Sequence, residues 1–472
     1  GLNRQAVSAP ARIAVTAPES WLVTAYGWVC CGLSTRIVER DIKHCARLGT
    51  MLFAKCKIRQ FLCINMVEQS TPIYRLLTCL GRRDHSRITK RWVMNVMTPM
   101  SCKRSISQLS FLLALVLSLF SGEQTLHGDE IPAILPASDG LPANQTKPVK
   151  VYVMLGQSNM LGFGRVEPKD TKGTLEYLVH TKGMYTHLVD DAGNWITRRD
   201  VRYVHVMDQR GVDYRDLETF GVVRNEWLVP NKSFGPELGF GQVMGYHHDE
   251  PVLLLKACIG NRSLGWDLLP PGSERFEHEG KVYAGYKDVA NFWDKGAEPK
   301  PVPWYAGRQY DADVAHAKAV LKELSKYYPD YQNQGYEVAG FVWWQGHKDQ
   351  NAALASRYEK NLVHLIKSLR NDFQSPNAKF VIATGCGNPG TEGFGKQIAE
   401  AQLAVDGASG RYKEFIGNVK SVDTRDLWRD STESPINQGH HYNHNAQTYY
   451  ETGERLGRAM ALLLEQEKRA SN

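Results

Sequence analysis

Cysteine is almost missing from the chain after residue 128: of nine in the sequence, only Cys258 and Cys386 lie there. A disulfide framework is therefore not expected, and a region of this length can bury a large core without one. Cys258 closes an apolar run and Cys386 sits in a Gly-rich stretch. The two could pair, or stay as two buried thiols. An apolar run long enough to cross a bilayer comfortably is also missing, because Leu109–Phe120 is too short. Basic excess is absent from the same region. Residues 1–104 hold 17 Lys and Arg against 5 Asp and Glu, which leaves 40 against 45 in the remainder. The whole-chain charge of +7 thus misleads, and nucleic acid is not an expected partner. No metal-ligand spacing joins histidines to carboxylates, and Gly385-Cys-Gly-Asn lacks the rest of a dinucleotide fingerprint. Neither a metal nor an organic cofactor is expected.

The amino-terminal part reads differently. Residues 1–96 hold Cys30, Cys31, Cys45, Cys56, Cys63 and Cys79 and show no sustained period. They are expected to be a spurious upstream extension. Met97 or Met100, then Lys103-Arg104 and the run to Phe120, follow the basic-then-apolar order of a secretory signal over 97–128. An amino-terminal membrane anchor is the alternative. The mature chain is expected to start between Gly122 and Glu130. Residues 129–147, rich in Pro, Ala, Gly and Asn, read as a linker, and 148–468 as one domain.

That domain alternates strands with helices, which predicts an α/β fold with a parallel sheet covered on both faces. Five strands are predicted: Val149–Leu155, Pro251–Ala257, Val338–Trp344, Lys379–Ala383 and Ile416–Val422. Apolar runs bounded by Gly or Pro suit strands buried on both faces. Two insertions, 165–231 and 262–310, break the rhythm, and the second is rich in aromatics.

Four polar segments fall at or just after predicted strand ends, where open α/β sheets build their sites. They are Gly156-Gln-Ser-Asn-Met160, Lys256-Ala-Cys-Ile-Gly-Asn-Arg-Ser-Leu264 with Asp267, Trp343-Trp-Gln-Gly-His-Lys-Asp349, and His440-His-Tyr-Asn-His444. Ser158 reads either as a helix cap or as a nucleophile. Acyl transfer needs a nucleophile, a base and oxyanion donors, and these segments hold all three kinds of group. Asn159, Asn261, Asp267 and Trp344 are candidates for substrate contact. Asp267 reads equally well as a loop cap. One of Trp343 and Trp344 is expected in the core and the other near the site, because neighbours on a strand face opposite ways.

In this order the segments resemble the sialate O-acetylesterase domain family, of the SGNH/GDSL hydrolase superfamily and close to carbohydrate esterase family six. The resemblance covers roughly residues 148–465, including Phe234-Gly-Pro-Glu-Leu238. It implies a three-layer α/β/α, flavodoxin-like SGNH fold on a five-stranded parallel sheet. It implies Ser158 as nucleophile and His441 as base, with an oxyanion hole of Ser158, Gly260 and Gln345. The substrate implied is an O-acetylated saccharide or polysaccharide; the signal pattern over 97–128 adds the expectation of a secreted or periplasmic enzyme.

Two usual acids of the family are replaced, by His347 and Gln438. Asp349 is the expected acid, with Asp423 and Asp426 behind it. A serine–histidine dyad held by a backbone carbonyl is a further possibility. The replaced acids also motivate a different reading, a catalytically weakened saccharide-binding protein.

Overall fold

The computed structural model describes residues 131–471 apart from 208–216, 218, 386 and 388. The expectations for residues 1–96 and for the apolar run, and a Cys258–Cys386 pairing, lie outside the described residues. Segment 131–147 carries no helix or strand. It is nonetheless tied down, since Leu135 is buried and Arg458 donates to the carbonyls of Ile131, Pro132 and Ala133. No helix among the described residues is long and apolar enough to cross a membrane.

The strands are β1 Val149–Gly156, β2 Gly164–Arg165, β3 Arg198–Val206, β4 Val222–Leu228, β5 Ser233–Phe234, β6 Val252–Ala257, β7 Phe276–His278, β8 Lys281–Tyr283, β9 Phe292–Asp294, β10 Tyr336–Trp344, β11 Lys379–Ala383 and β12 Val419–Val422. Seven of them form one sheet in the order β12-β11-β10-β1-β6-β3-β4. The first six run parallel and β4 runs antiparallel to β3. This corrects the expected five-stranded parallel, flavodoxin-like SGNH sheet: the sheet is mixed and has seven strands.

The five predicted strands are all present, and the last begins only at Val419, after a turn through Gly417 at φ +72°. The two strands of this sheet that were not predicted, β3 and β4, come from the first insertion. Strand β3 reads Arg-Arg-Asp-Val-Arg-Tyr-Val-His-Val, which looks like a solvated segment. Two of its arginines, Arg198 and Arg202, are buried because partners surround them. Arg198 pairs with Asp200 at 2.5 Å and donates to the Gln242 carbonyl, while Arg202 donates to Asn225 and the Tyr327 carbonyl. A buried ion with satisfied hydrogen bonds is tolerated in a strand that residue type alone would place in water.

Alternation along the central strands feeds two cores. Val151, Val153 and Leu155 face one side with Phe341 and Trp343. There they meet the helices Arg308–Lys322, Ala352–Asp372 and Gly393–Ala404. Asn351 caps the second of these by accepting from the Leu354 N–H at 3.0 Å. Tyr152 and Met154 face the other side with Val342 and Trp344, against the helices Glu237–His247 and Ala446–Ser471. The second insertion adds the small antiparallel sheet β7-β8-β9.

Parallel register brings the strand ends together. Gly156 pairs with Trp344 across β1 and β10, and Met154 pairs with Lys256 across β1 and β6. The segments that follow these three parallel, adjacent strands therefore emerge side by side at their carboxyl ends.

Candidate active site

Strand β1 ends at Gly156, where a Cβ would collide with the Trp344 carbonyl. Only glycine permits the strand to turn this close to its neighbour. Gln157 follows, buried, and its Oε1 accepts from the N–H groups of Gly346 and Lys348, both at 3.3 Å. The short helix Ser158–Leu161 starts there. Lys256, buried in β6, holds its far end by donating to the Leu161 carbonyl at 3.2 Å. The same ammonium lies 2.5 Å from Glu237, which also accepts from the Gly235 N–H. A lysine inside Val-Leu-Leu-Leu-Lys-Ala was a visible signal of this ion pair, because a charge buried in an apolar strand needs a partner. The role of Gln157 had no such signal.

The histidine segment forms a tight turn over Gly439–His444, with Tyr442, Asn443 and His444 at φ +48°, +54° and +58°. Left-handed residues in a row need external support. Asn443 accepts from the Gln438 N–H and donates to the Arg429 carbonyl, both at 2.9 Å. Tyr442 is buried against Trp344, ring centroids 5.5 Å apart. The Tyr449 hydroxyl lies 2.7 Å from Asn159 Oδ1 and 3.2 Å from the His441 carbonyl. Asn159 donates to the His440 carbonyl at 3.4 Å. The residue next to Ser158 is thus bonded directly to the turn that carries His441. Phe163 stacks on the His441 ring at 3.8 Å and 8°.

His441 Nδ1 lies 3.2 Å from Gln438 Oε1, and His444 Nε2 lies 2.6 Å from the same oxygen. With an amide oxygen as acceptor, Nδ1 carries the hydrogen and Nε2 keeps its lone pair. Burial, with His440, His444 and His347 nearby, lowers the His441 pKa to about 3. The ring is neutral over the physiological range.

The acceptor at His441 is therefore the Gln438 amide, not the Asp349 carboxylate. The single turn His347–Asp349 aims Asp349 the other way. Its oxygens accept from the N–H groups of Leu264 and Gly265, each at 2.8 Å, and from Gln345 Nε2 at 2.6 Å. Asp423 is held by Arg425 at 2.8 Å, which lowers its pKa to about 2. Asp426 is held by Arg455 at 2.7 Å. None of the three carboxylates is bonded to His441.

Gln345 also departs from its expected place. Its Nε2 donates to the Arg262 carbonyl at 2.9 Å as well as to Asp349, and its Oε1 accepts from the Tyr358 hydroxyl at 2.9 Å. The side chain is thus committed to the loop after β6, to Asp349 and to Tyr358. In that loop Gly260 is buried, while Asn261 is exposed at φ +57°. Asp267 caps the loop by accepting from the Ser263 N–H and hydroxyl at 2.9 and 3.0 Å. Trp343 and Trp344 are both fully buried, so neither is a surface for substrate. Asn159 is buried and bonded to protein, as above.

Two cavities flank the site. One of about 490 Å³ is lined by Asn261, Asp267, Asn291, Trp304 and Lys348. Another of about 780 Å³ is lined by Phe163, Arg165, Arg224, Lys232 and His444. No cluster of His, Cys, Asp and Glu among the described residues has the arrangement to hold a metal ion.

The fold and the site define an α/β protein with a serine at the start of a short helix after a central strand and a neutral histidine on a turn bonded to it. Residues 148–462 match the carbohydrate esterases described as sialic acid-specific acetylesterases, and the chain belongs to this family. No curated protein matches it in sequence. Among solved structures, a protein from Arabidopsis thaliana is 16% identical over 66% of this chain and 98% of its own, with a TM-score of 0.37. A carbohydrate acetylesterase from Xanthomonas citri is 11% identical over 67% of this chain and 57% of its own, at 0.36. NanS is 11% identical over 70% and 99%, at 0.35.

Proposed function

We propose that this chain is an exported carbohydrate esterase that removes O-acetyl groups from a saccharide through a Ser158–His441 pair. The observation that carries the reading is the direct bonding of the serine turn to the histidine turn, through Asn159, Tyr449 and the stacked Phe163. Ser158 Oγ attacks the acetyl carbonyl and its proton passes to His441 Nε2. The backbone N–H groups of Ser158 and Gly260 receive the oxyanion. Collapse breaks the ester bond, and the sugar oxygen takes the proton from His441. Water, deprotonated by the same nitrogen, then attacks the acetyl-serine; the Ser158 oxygen leaves with the proton that His441 returns to it, and acetate is released.

Gln438 keeps the proton on Nδ1, the task a carboxylate performs in a triad, but adds no charge to stabilise the imidazolium. The low basicity of His441 also supports the second reading, a saccharide-binding protein with little turnover. One experiment separates them: acetate release from acetylated saccharides and p-nitrophenol release from p-nitrophenyl acetate, with Ser158→Ala beside the native chain. The esterase reading expects a loss on the order of 10⁴-fold or more in kcat. Equal rates in the two proteins rule it out.

A further inference from the structure

We propose that Asp349 is a positioning residue, whose ionised carboxylate clasps the Gly260–Gly265 loop in the arrangement that receives the oxyanion and whose protonation opens the clasp. The proposal rests on the esterase reading above for its effect on turnover, but the clasp itself can be tested without it. Asp349 is fully buried, and all three of its partners are donors: the Leu264 and Gly265 N–H groups and Gln345 Nε2. Gln345 extends the grip by donating to the Arg262 carbonyl. One carboxylate and one amide thus fix residues 262, 264 and 265, immediately after Gly260. The fit is closed on the backbone, since a Cβ on Gly265 would stand 2.6 Å from the Leu354 side chain and 3.2 Å from Asp349 Oδ1.

Only the ionised form suits this site. Protonation removes the charge that strengthens all three bonds, and a hydroxyl oxygen accepts more weakly than a carboxylate oxygen, so the grip on the loop loosens. The groups packed around it do not hold it ionised by charge. The residue after strand β10 is neutral Gln345 and helix Ala352–Asp372 presents Leu354, while the loop presents Asp267, a like charge. On its own turn, Lys348 acts on Asp267. No lysine or arginine among the described residues forms an ion pair with Asp349. Burial therefore wins over the three hydrogen bonds and lifts the carboxyl to about 6. His441 stays neutral to far lower pH. The acid limb of turnover then belongs to the loop and not to the base.

The test is the pH profile of kcat and KM for p-nitrophenyl acetate in the native chain and in Asp349→Asn. The native kcat should fall below about pH 6, as burial of the carboxyl predicts. Asp349→Asn should lose roughly 10- to 100-fold in kcat above that pH with KM nearly unchanged, and should show no limb there. A variant that keeps the native limb, or the native kcat, overturns the proposal. Should the variant not fold, hydrogen exchange on the native chain decides instead. The Leu264 and Gly265 amides should lose protection between about pH 7.5 and pH 5, after correction for intrinsic rates, while β6 and β10 keep theirs. Unchanged protection also overturns it. Full activity in Ser158→Ala would remove the esterase reading and leave the exchange result standing, so the two failures are distinct.

Discussion

The two halves of the site are held together by different physics. The serine half rests on buried charge: Lys256 with Glu237 under the serine turn, and Asp349 within the loop after β6. The histidine half rests on neutral groups: the Gln438 and Asn443 amides, the Tyr449 hydroxyl and the stacked Phe163. On the proposed mechanism, the difference follows from what each half must present. Backbone donors have to be fixed in place, and a buried carboxylate fixes N–H groups strongly. A base has to stay unprotonated, and a surround of amides and rings keeps it so.

Removing a charge from the serine half should have the largest effect. Lys256→Ala leaves the Glu237 charge buried with only the Gly235 N–H to satisfy it and should lower stability by about 3–5 kcal/mol. The paired change Lys256→Met with Glu237→Leu should recover most of that loss, because both charges leave together. Urea unfolding of the single and double variants measures this, and a double variant no better than the single would show that the pair is not the strut described.

The histidine half should respond in rate and pH rather than in stability. Gln438→Leu removes the acceptor at Nδ1 and should lower kcat by roughly 10- to 100-fold, less than an inverted tautomer costs in a full triad. Gln438→Asp puts a carboxylate there. An opposite charge favours the protonated ring, so the His441 pKa should rise from about 3 and kcat should increase. Any acid limb owed to His441 should then move to higher pH. A pH–rate profile that does not move would place another acceptor on His441.

The smallest effect is expected at Asp423. Its carboxylate is committed to Arg425 and Thr384, outside both halves. Asp423→Asn should change kcat by less than about 2-fold, as a residue away from the reacting groups does. A larger loss would extend the histidine half beyond the Gly439–His444 turn.

Much of this was legible in the chain. The five apolar strands, the strand-end serine and the histidine turn each carry a local signature, because apolar runs and turn residues act over a few positions. Strands β3 and β4 were not legible. Buried Arg198 and Arg202 resemble surface residues until Asp200, Gln242 and Asn225 are seen beside them. The contribution of Asp349 was hidden for the same reason. Its position beside Gln345 marked it as part of the site, but the direction of a carboxylate on a single turn depends on which N–H groups come within reach.

By itself, then, the sequence determined which segments stand at strand ends and which residue types they offer, since hydrophobic period and turn chemistry are local. Only the tertiary structure decided who meets whom. Gln438 lies at His441, Asp349 lies at Leu264 and Gly265, and Lys256 lies at Glu237. Hydrogen bonds and ion pairs act within about 3 Å, and partners distant in sequence reach that range only once the packed sheet has set their positions.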